Sequence, residues 1–247
     1  MIRTSKQSDI PQIVSLWRTC FGDSDEYIRS FLSIIGTPER CLVVELENKI
    51  ASMIFMLPAK MNVAGTSRDV IYIYACATSP EFREKGVMRD LLEAAYKQAV
   101  EQSAFALILI PASEKLSAYY QKIGFLPFFC KTKFRLAAVD KLLTEPLNKD
   151  TISEIIAIRK RNLTSDFACH WPDNHLRFAL NELADDGVKA FISENSYVLF
   201  SPENQVVEAL PLEQYQLSTD EEFALIRFCE NAILPDFEKP YFNFGLD

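Results

Sequence analysis

The chain has little of the chemistry that marks a metalloprotein, a disulfide scaffold or a nucleic-acid binder. Histidine occurs only twice in 247 residues, as His170 and His175. The flank Cys169-His170-Trp171-Pro172-Asp173 offers no second ligand cluster, so no metal site is expected. The 6 cysteines stand apart at 20, 41, 76, 130, 169 and 229. They include no CxxC pair and lie mostly within apolar stretches, which reads as buried thiols in a reducing compartment. No apolar run approaches the roughly 20 residues that span a bilayer; the longest, residues 50–58 and 105–111, fall far short. Arg3, Lys6 and Asp9 interrupt any signal-peptide core at the N-terminus, so a cytoplasmic protein with no membrane partner is expected. A basic face is also missing. The net charge of -8 argues against nucleic acid as a partner and would steer cationic amines toward the surface.

What is present suits a globular protein. Apolar residues make up 49% and charged residues 24% of the chain, enough to build a core without a long disordered tract. The length allows one large domain or two modest ones. Residues 8–19 carry Ile10, Ile13, Val14 and Trp17 at helical spacing, with Ser8 or Asp9 as the N-cap. A second helix is predicted over 25–34, ended by Gly36 and Pro38. Strands at 41–45 and 49–57 read as a hairpin turning at Glu47-Asn48. The run 70–78 is apolar on both faces, as a central strand would be. A helix over 87–103, a strand at 105–110, a helix over 114–123 and a strand at 128–137 follow. The first half is thus α+β, with helices on the faces of a sheet.

The second half repeats the first in outline. Asp150 with Ile152, Ile155, Ile156 and Ile158 echoes the first helix, and residues 173–183 echo the second. Strands at 188–193, 196–200 and 205–212 follow, then a predicted helix over 219–233. The loop at 212–218 contains no glycine and is not expected to bind a nucleotide. Residues 140–149 read as a linker between a domain at 1–139 and a second at 150–247.

The chemistry concentrates where the central strand ends. A pyrophosphate is bound well by backbone N-H groups converging on a helix N-terminus. Here the strand 71–78 runs through Ser79-Pro80-Glu81-Phe82-Arg83-Glu84-Lys85-Gly86-Val87-Met88-Arg89 into an amphipathic helix. Gly86 removes a Cβ where a phosphate must approach. Arg83, Lys85 and Arg89 add positive charge around the same turn, which Glu81 and Glu84 partly offset.

These residues, over the stretch 70–125, resemble the GNAT superfamily of acyl-CoA-dependent N-acetyltransferases. The family carries Arg or Gln, two residues, Gly, one residue, then Gly or Ala; here the series is Arg83, Glu84, Lys85, Gly86, Val87, Met88, with Met88 in place of the last small residue. The resemblance implies a GNAT fold, a mixed and mostly antiparallel sheet flanked by helices. It implies acetyl-CoA as acyl donor, and main-chain hydrogen bonds from Cys76, Ala77 and Thr78 to the pantetheine arm. A second block, Leu107-Ile108-Leu109-Ile110-Pro111-Ala112-Ser113-Glu114 with Tyr119-Tyr120 and Gly124-Phe125, looks like the family's later motif. By that likeness Tyr120, four residues before Gly124, protonates the departing thiolate, and Ser113 touches the pantetheine or the diphosphate. A phenol with a pKa near 10 stays protonated at neutral pH and suits the role; Tyr119 is its rival.

The implied reaction is direct attack of a primary amine on the thioester, with backbone N-H groups polarising the carbonyl. The central strand carries no Glu, Asp or His for a general base, which leaves Glu26, Asp69, the terminal Asp247 or a water chain. The doubled layout is similar to the tandem GNAT group that includes the enhanced-intracellular-survival aminoglycoside acetyltransferases. That likeness makes the second half a degenerate GNAT-like domain closing the acceptor pocket, with Trp171, Phe167 and Asp173 near an amine, or with Trp171 simply in the core. The alternative from another class is a catalytically silent acyl-CoA-binding sensor or scaffold.

Overall fold

Local punctuation sets the first elements. The computed structural model describes residues 1–130, 133–134, 143–211, 216–217 and 222–229. Strand β1 (Ile2–Thr4) leads to helix α1 (Ile10–Phe21), with Pro11 in its first turn, where a missing N-H costs nothing. It stops at Gly22, whose left-handed φ of 81° returns its N-H to the Arg18 carbonyl. The Ser24 hydroxyl accepts the Tyr27 N-H at 3.1 Å and opens α2 (Asp25–Ile34). Strands β2 (Cys41–Leu46) and β3 (Lys49–Val63) turn at Glu47 and Asn48, both at positive φ, the geometry that matches strand twist in a two-residue hairpin. Ala64 and Gly65 repeat that geometry and start β4 (Thr66–Thr78). Helix α3 (Val87–Glu101), β5 (Ala106–Leu109), α4 (Glu114–Gln121) and β6 (Leu126–Cys130) follow. Beyond them come β7 (Lys133–Phe134), β8 (Glu145–Pro146), α5 (Lys149–Asn162), β9 (Cys169–His170), α6 (Asp173–Asp185), β10 (Lys189–Ser193), β11 (Ser196–Phe200), β12 (Val206–Leu210), β13 (Gln216–Leu217) and β14 (Glu222–Phe228).

Two compact units result. The first takes residues 1–60, 68–127 and 225–229. Its sheet has the order β1-β2-β3-β4-β5-β14-β6. β1 with β2, β2 with β3, and β5 with β14 run antiparallel, whereas β4 and β5 are parallel. Alternation along the strands sends neighbouring side chains to opposite faces. Ile54, Met56, Ile71 and Ile73 pack with Leu91, Leu92, Ala95 and Ala99 of α3 and with Tyr120 of α4. Phe55 and Tyr74 face the other way, against Trp17 of α1 and Phe31 of α2, with ring centroids 4.9–5.7 Å apart.

Asp9 ties the start of this unit together. Its carboxylate takes both guanidinium arms of Arg3, at 2.6 and 3.1 Å, and the Lys6 N-H at 2.9 Å, while Arg3 Nε reaches Glu45 at 2.9 Å. It does not cap α1 directly. The hydrogen bonds and charge of Arg3 hold the Asp9 carboxyl below the usual carboxylate range.

The second unit takes residues 61–67 and the described residues of 128–224. Helices α5 and α6 accompany a sheet of order β12-β11-β10-β8. Its order of two helices and three strands, α5, α6, β10, β11 and β12, repeats that of α1, α2, β2, β3 and β4. Buried Arg159 of α5 pairs with buried Glu208 of β12, whose other oxygen accepts the Tyr197 hydroxyl at 2.6 Å. A buried carboxylate is tolerable only with partners of this kind.

Four expectations change. The described part of the predicted helix at 219–233 is strand β14, inserted between β5 and β6. Ala224, Leu225 and Ile226 are consecutively buried, and a short run apolar on both faces does not distinguish helix from strand. The boundaries 1–139 and 150–247 give way to a division in which residues 225–229 belong to the first unit and 61–67 to the second. Residues 140–149 are not simply a linker, because β8 pairs with β10 and Asn148 caps α5 through the Asp150 and Thr151 N-H groups; residues 140–142 lie outside the described residues. The strand expected at 128–137 begins at Leu126, and 131–132 and 135–137 are also outside them.

Two measurements check this arrangement. A folded-state pKa held below its unfolded value contributes stability above the unfolded pKa and loses it as pH falls through the folded value. Asp9→Asn should therefore cost about 1–3 kcal/mol at pH 7, and the gap in Tm from the parent should close below about pH 4; a gap independent of pH would remove the ionised Asp9 from the account. A fragment of residues 1–139 lacks β14 and should aggregate or melt without a cooperative transition, whereas a soluble fragment with a sharp melt near the parent Tm would make β14 dispensable.

Candidate functional site

The site begins where two parallel strands part. Pairing between β4 and β5 runs from Val70↔Ala106 to Tyr72↔Ile108, after which β5 ends at Leu109 while β4 continues to Thr78. Within that extension Ala75 takes φ 50°, a left-handed conformation that costs a non-glycine residue about 1 kcal/mol or more. The kink separates Tyr74, on the α1 and α2 face, from Cys76, which packs with α3 and α4.

The end of β4 is held by side chains. Ser52 Oγ donates to the Ala77 carbonyl at 2.8 Å and meets Thr78 Oγ1 at 2.9 Å. The Thr78 carbonyl accepts Arg83 Nε at 3.1 Å and the Cys20 thiol at 3.5 Å. Of the strand-edge residues expected to hold pantetheine, Ala77 and Thr78 thus have their carbonyls engaged internally. Their N-H groups are not used in these bonds.

Arg83 folds back to fix the loop that follows. Glu84 and Gly86 adopt φ 63° and 78°, and Gly86 is the N-cap of α3, its carbonyl taking the Asp90 N-H at 3.0 Å. Helical geometry leaves the first N-H groups of α3, those of Val87, Met88 and Arg89, without intrahelical acceptors. Arg89 sits across this turn, 3.3 Å from the Asp90 carboxylate, and Lys85 lies 5.3 Å over the Phe82 ring. Arg83, Lys85 and Arg89 are all exposed. Met88, in the position where a small residue was expected, instead packs with Val87 on the α3 and α4 core. Amides, a helix N-terminus, a glycine and three cations fit a pyrophosphate.

Tyr120 closes the other side. The Ser113 hydroxyl accepts the Leu116 N-H at 3.3 Å and caps α4, so that side chain serves the helix rather than standing free for a ligand. α4 ends as the Tyr120 carbonyl accepts the Ile123 and Phe125 N-H groups at 3.1 and 3.2 Å. Tyr120 is 6% exposed, its ring against Phe125, and it shares the apolar cluster with Cys76. Burial, then the neighbouring thiol, push its pKa well above 10. Burial also pushes the Cys76 thiol up to about 12, against a small opposing pull from Tyr120. Tyr119 is half-buried, and burial raises its pKa. Both tyrosines pack with Cys76 in the same apolar cluster.

The expected bases fare unevenly. Asp69 lies at the opposite end of β4 from Cys76, roughly 20 Å along the strand, and pairs with Lys60 at 2.9 Å. Glu26 is exposed on α2, and Asp247 lies outside the described residues. Sequence reasoning passed over Asp23, which accepts Trp17 Nε1 at 2.7 Å and acts electrostatically on Tyr74. Tyr74 in turn shares a 3.0 Å hydrogen bond with the Tyr27 hydroxyl, and its pKa is raised, chiefly by burial. In the second unit, Trp171 is buried and stacked on His175 at 4.3 Å, Phe167 is buried against Phe128, and Asp173 pairs with Lys160 at 2.6 Å. The two rings are packing residues there.

Residues 1–128 match the family model of the acetyltransferase (GNAT) domain. The chain belongs to the GNAT acetyltransferases. As a member it is an acyl-CoA-dependent N-acyltransferase with acetyl-CoA as donor. Its fold is similar to that of Eis1 from Mycobacterium abscessus, at TM-score 0.71 and 11% identity over 93% of this chain and 74% of the other. It is equally similar to GCN5-related N-acetyltransferases from Anabaena variabilis, at TM-score 0.69 and 14% identity over 93% and 73%, and from Kribbella flavida, at 0.69 and 13% over 93% and 72%. No curated protein matches by sequence. At these identities the structural likeness speaks to fold alone. Among the described residues, no helix is long and apolar enough to cross a membrane.

Gly86→Ala tests the loop. A Cβ there would sit 3.2 Å from Arg89 Nη2 at a φ of +78°. The strain should cost about 1 kcal/mol of stability and weaken CoA binding about tenfold in calorimetric titration; unchanged affinity would place the pyrophosphate elsewhere.

Proposed function

We propose that this GNAT protein moves the acetyl group of acetyl-CoA to a primary amine by direct attack, with Tyr120 as the general acid. The observation that carries the reading is the buried Tyr120 hydroxyl, set beside a sulfur at the parting of β4 and β5, in the same apolar cluster as Val87 and Met88 at the start of α3. Acetyl-CoA supplies an activated thioester; the protein's part is to bind, orient and deliver a proton. The loop 83–89 holds the diphosphate through the first N-H groups of α3, with Arg83, Lys85 and Arg89 around them. Main-chain groups of Cys76, Ala77 and Thr78, at the end of β4 beyond its pairing with β5, hold the pantetheine arm.

Tyr120 suits an acid because burial keeps its proton on at all ordinary pH. Its neighbour in the apolar cluster is the Cys76 thiol, a soft group of the kind a departing thiolate would be. On the other face of β4, Asp23 and the Tyr27 and Tyr74 hydroxyls form a polar cluster within an aromatic wall. A carboxylate there, on a chain of net charge -8, favours a cationic amine, and Asp23 is the carboxylate we assign to taking up its proton.

Tyr120→Phe is expected to lower kcat by about 10² to 10⁴ while CoA affinity stays within about threefold, measured by thiol release across a panel of amines and by calorimetry. Because the phenol titrates above 10, the parent rate should show no alkaline limb from Tyr120 below about pH 10. CoA binding with no release from any amine would favour the silent sensor. Loss of activity in Tyr119→Phe instead would reassign the acid.

A further inference from the structure

Arg227 lies on β14, opposite Leu107 of β5, far in sequence from every residue assigned above. Its guanidinium makes a forked contact with Glu93 of α3, Nη1 to Oε2 at 2.9 Å and Nη2 to Oε1 at 3.4 Å. The same plane stacks on Tyr96, with Cζ 3.8 Å from the ring centroid. Its inner edge runs past Gly124, where an added Cβ would stand 3.3 Å from Nε and 3.7 Å from Cδ and Cζ. Gly124 has φ 92° and belongs to the turn that closes α4 on the Tyr120 carbonyl.

One planar cation thus touches both halves of the site. Glu93 and Tyr96 are three residues apart and share a face of α3; Glu93 stands about 9 Å along the axis from Val87, where the phosphate-facing N-H groups lie. The rest of that helix meets the core partly through Ala95 and Ala99, small side chains that interlock little with the sheet. Resistance to sliding or tilting must come from longer contacts. Arg227 supplies one, and it is 15% exposed, where a forked, charge-assisted pair holds geometry better than at an open surface.

We propose that Arg227 is a positioning residue for acetyl transfer, fixing the cofactor-binding end of α3 and the Tyr120 turn at a set separation. This rests on the reading of the site given above. Arg227 touches no reacting atom; it acts through Glu93, Tyr96 and the Gly124 turn. Lysine is a poor replacement, since a point charge neither forks onto the carboxylate nor stacks on the ring.

The test compares the full-length parent with Arg227→Met, Arg227→Lys, Glu93→Gln and the exchanged pair Arg227→Glu with Glu93→Arg. CoA affinity is read by calorimetry, kcat and KM by thiol release, and folding by thermal melting. Arg227→Met, which keeps an apolar stem on Tyr96, should raise the CoA Kd and lower kcat by about tenfold each. Arg227→Lys should fall between, and the exchanged pair should regain most of the loss. Should Arg227→Met fail to fold, Glu93→Gln removes the charge with little change of shape and should show the same two effects. A lower Tm with Kd and kcat unchanged makes Arg227 a structural residue and overturns the proposal. Absence of CoA binding in the parent would instead overturn the reading of the site on which it rests.

Discussion

The parting of β4 from β5 after Tyr72 and Ile108 is the constraint on which the rest of the first unit depends. A parallel pair that separates exposes backbone groups which must find partners or meet solvent or a ligand. The structure satisfies some of them internally, the Ala77 carbonyl by Ser52 and the Thr78 carbonyl by Arg83 and Cys20. What remains includes the first N-H groups of α3, which have no intrahelical acceptors. The proposed function uses amides of this kind, and binding through amides makes few demands on side chains. That explains how Met88 can stand at a position where the family pattern has a small residue, with its bulk turned into the core.

This also explains what the sequence disclosed. Elements whose signals are local were legible: the Glu47-Asn48 turn, Gly86 before α3, and the strands of the second unit to within a residue or two. The Ala64-Gly65 turn was passed over because the polar residues 66–69 hid the first third of β4. Strand β14 was read as helix because three consecutive buried residues carry no period. Asp23 was missed for another reason. Its partner Trp17 lies six residues away across the end of α1, a relation that becomes visible only when Gly22 reverses the chain. Arg227 had no local signal at all, since every contact that gives it meaning crosses from β14 to α3 or the Gly124 turn.

Two of the arginine–glutamate pairs show how burial changes what an ion pair does. Arg159 and Glu208 are almost wholly buried in the second unit, and Tyr197 completes the carboxylate's hydrogen bonds. Such a pair gains little net stability over an apolar substitute, but loss of one member leaves a charge in the core at a cost of about 3–5 kcal/mol. It therefore specifies which strands and helix may meet. Arg227 and Glu93 are partly exposed, with side-chain accessibilities of 15% and 45%, so their pairing weighs less in stability. What it offers is direction, because a fork stacked on a ring has one orientation. A pair in this regime can tune a site without deciding whether the protein folds.

The place of β14 has a consequence for assembly. Closing a loop of roughly a hundred residues costs little more entropy than closing a shorter one, about 0.6 kcal/mol for each doubling of length, so recruiting a distant strand to the middle of a sheet is thermodynamically inexpensive. Its effect is on order. Non-local pairing is slow to form, and β5 gains its antiparallel neighbour only when Leu225, Ile226, Arg227 and Phe228 align with Leu109, Ile108, Leu107 and Ala106. Until then the apolar edge of β5 is uncovered, and α3 lacks the cation that holds Glu93. The loop 83–89, Tyr120 and the strand that pairs with β5 are encoded far apart. Completion of the first unit's sheet is consequently tied to a strand encoded late in the chain.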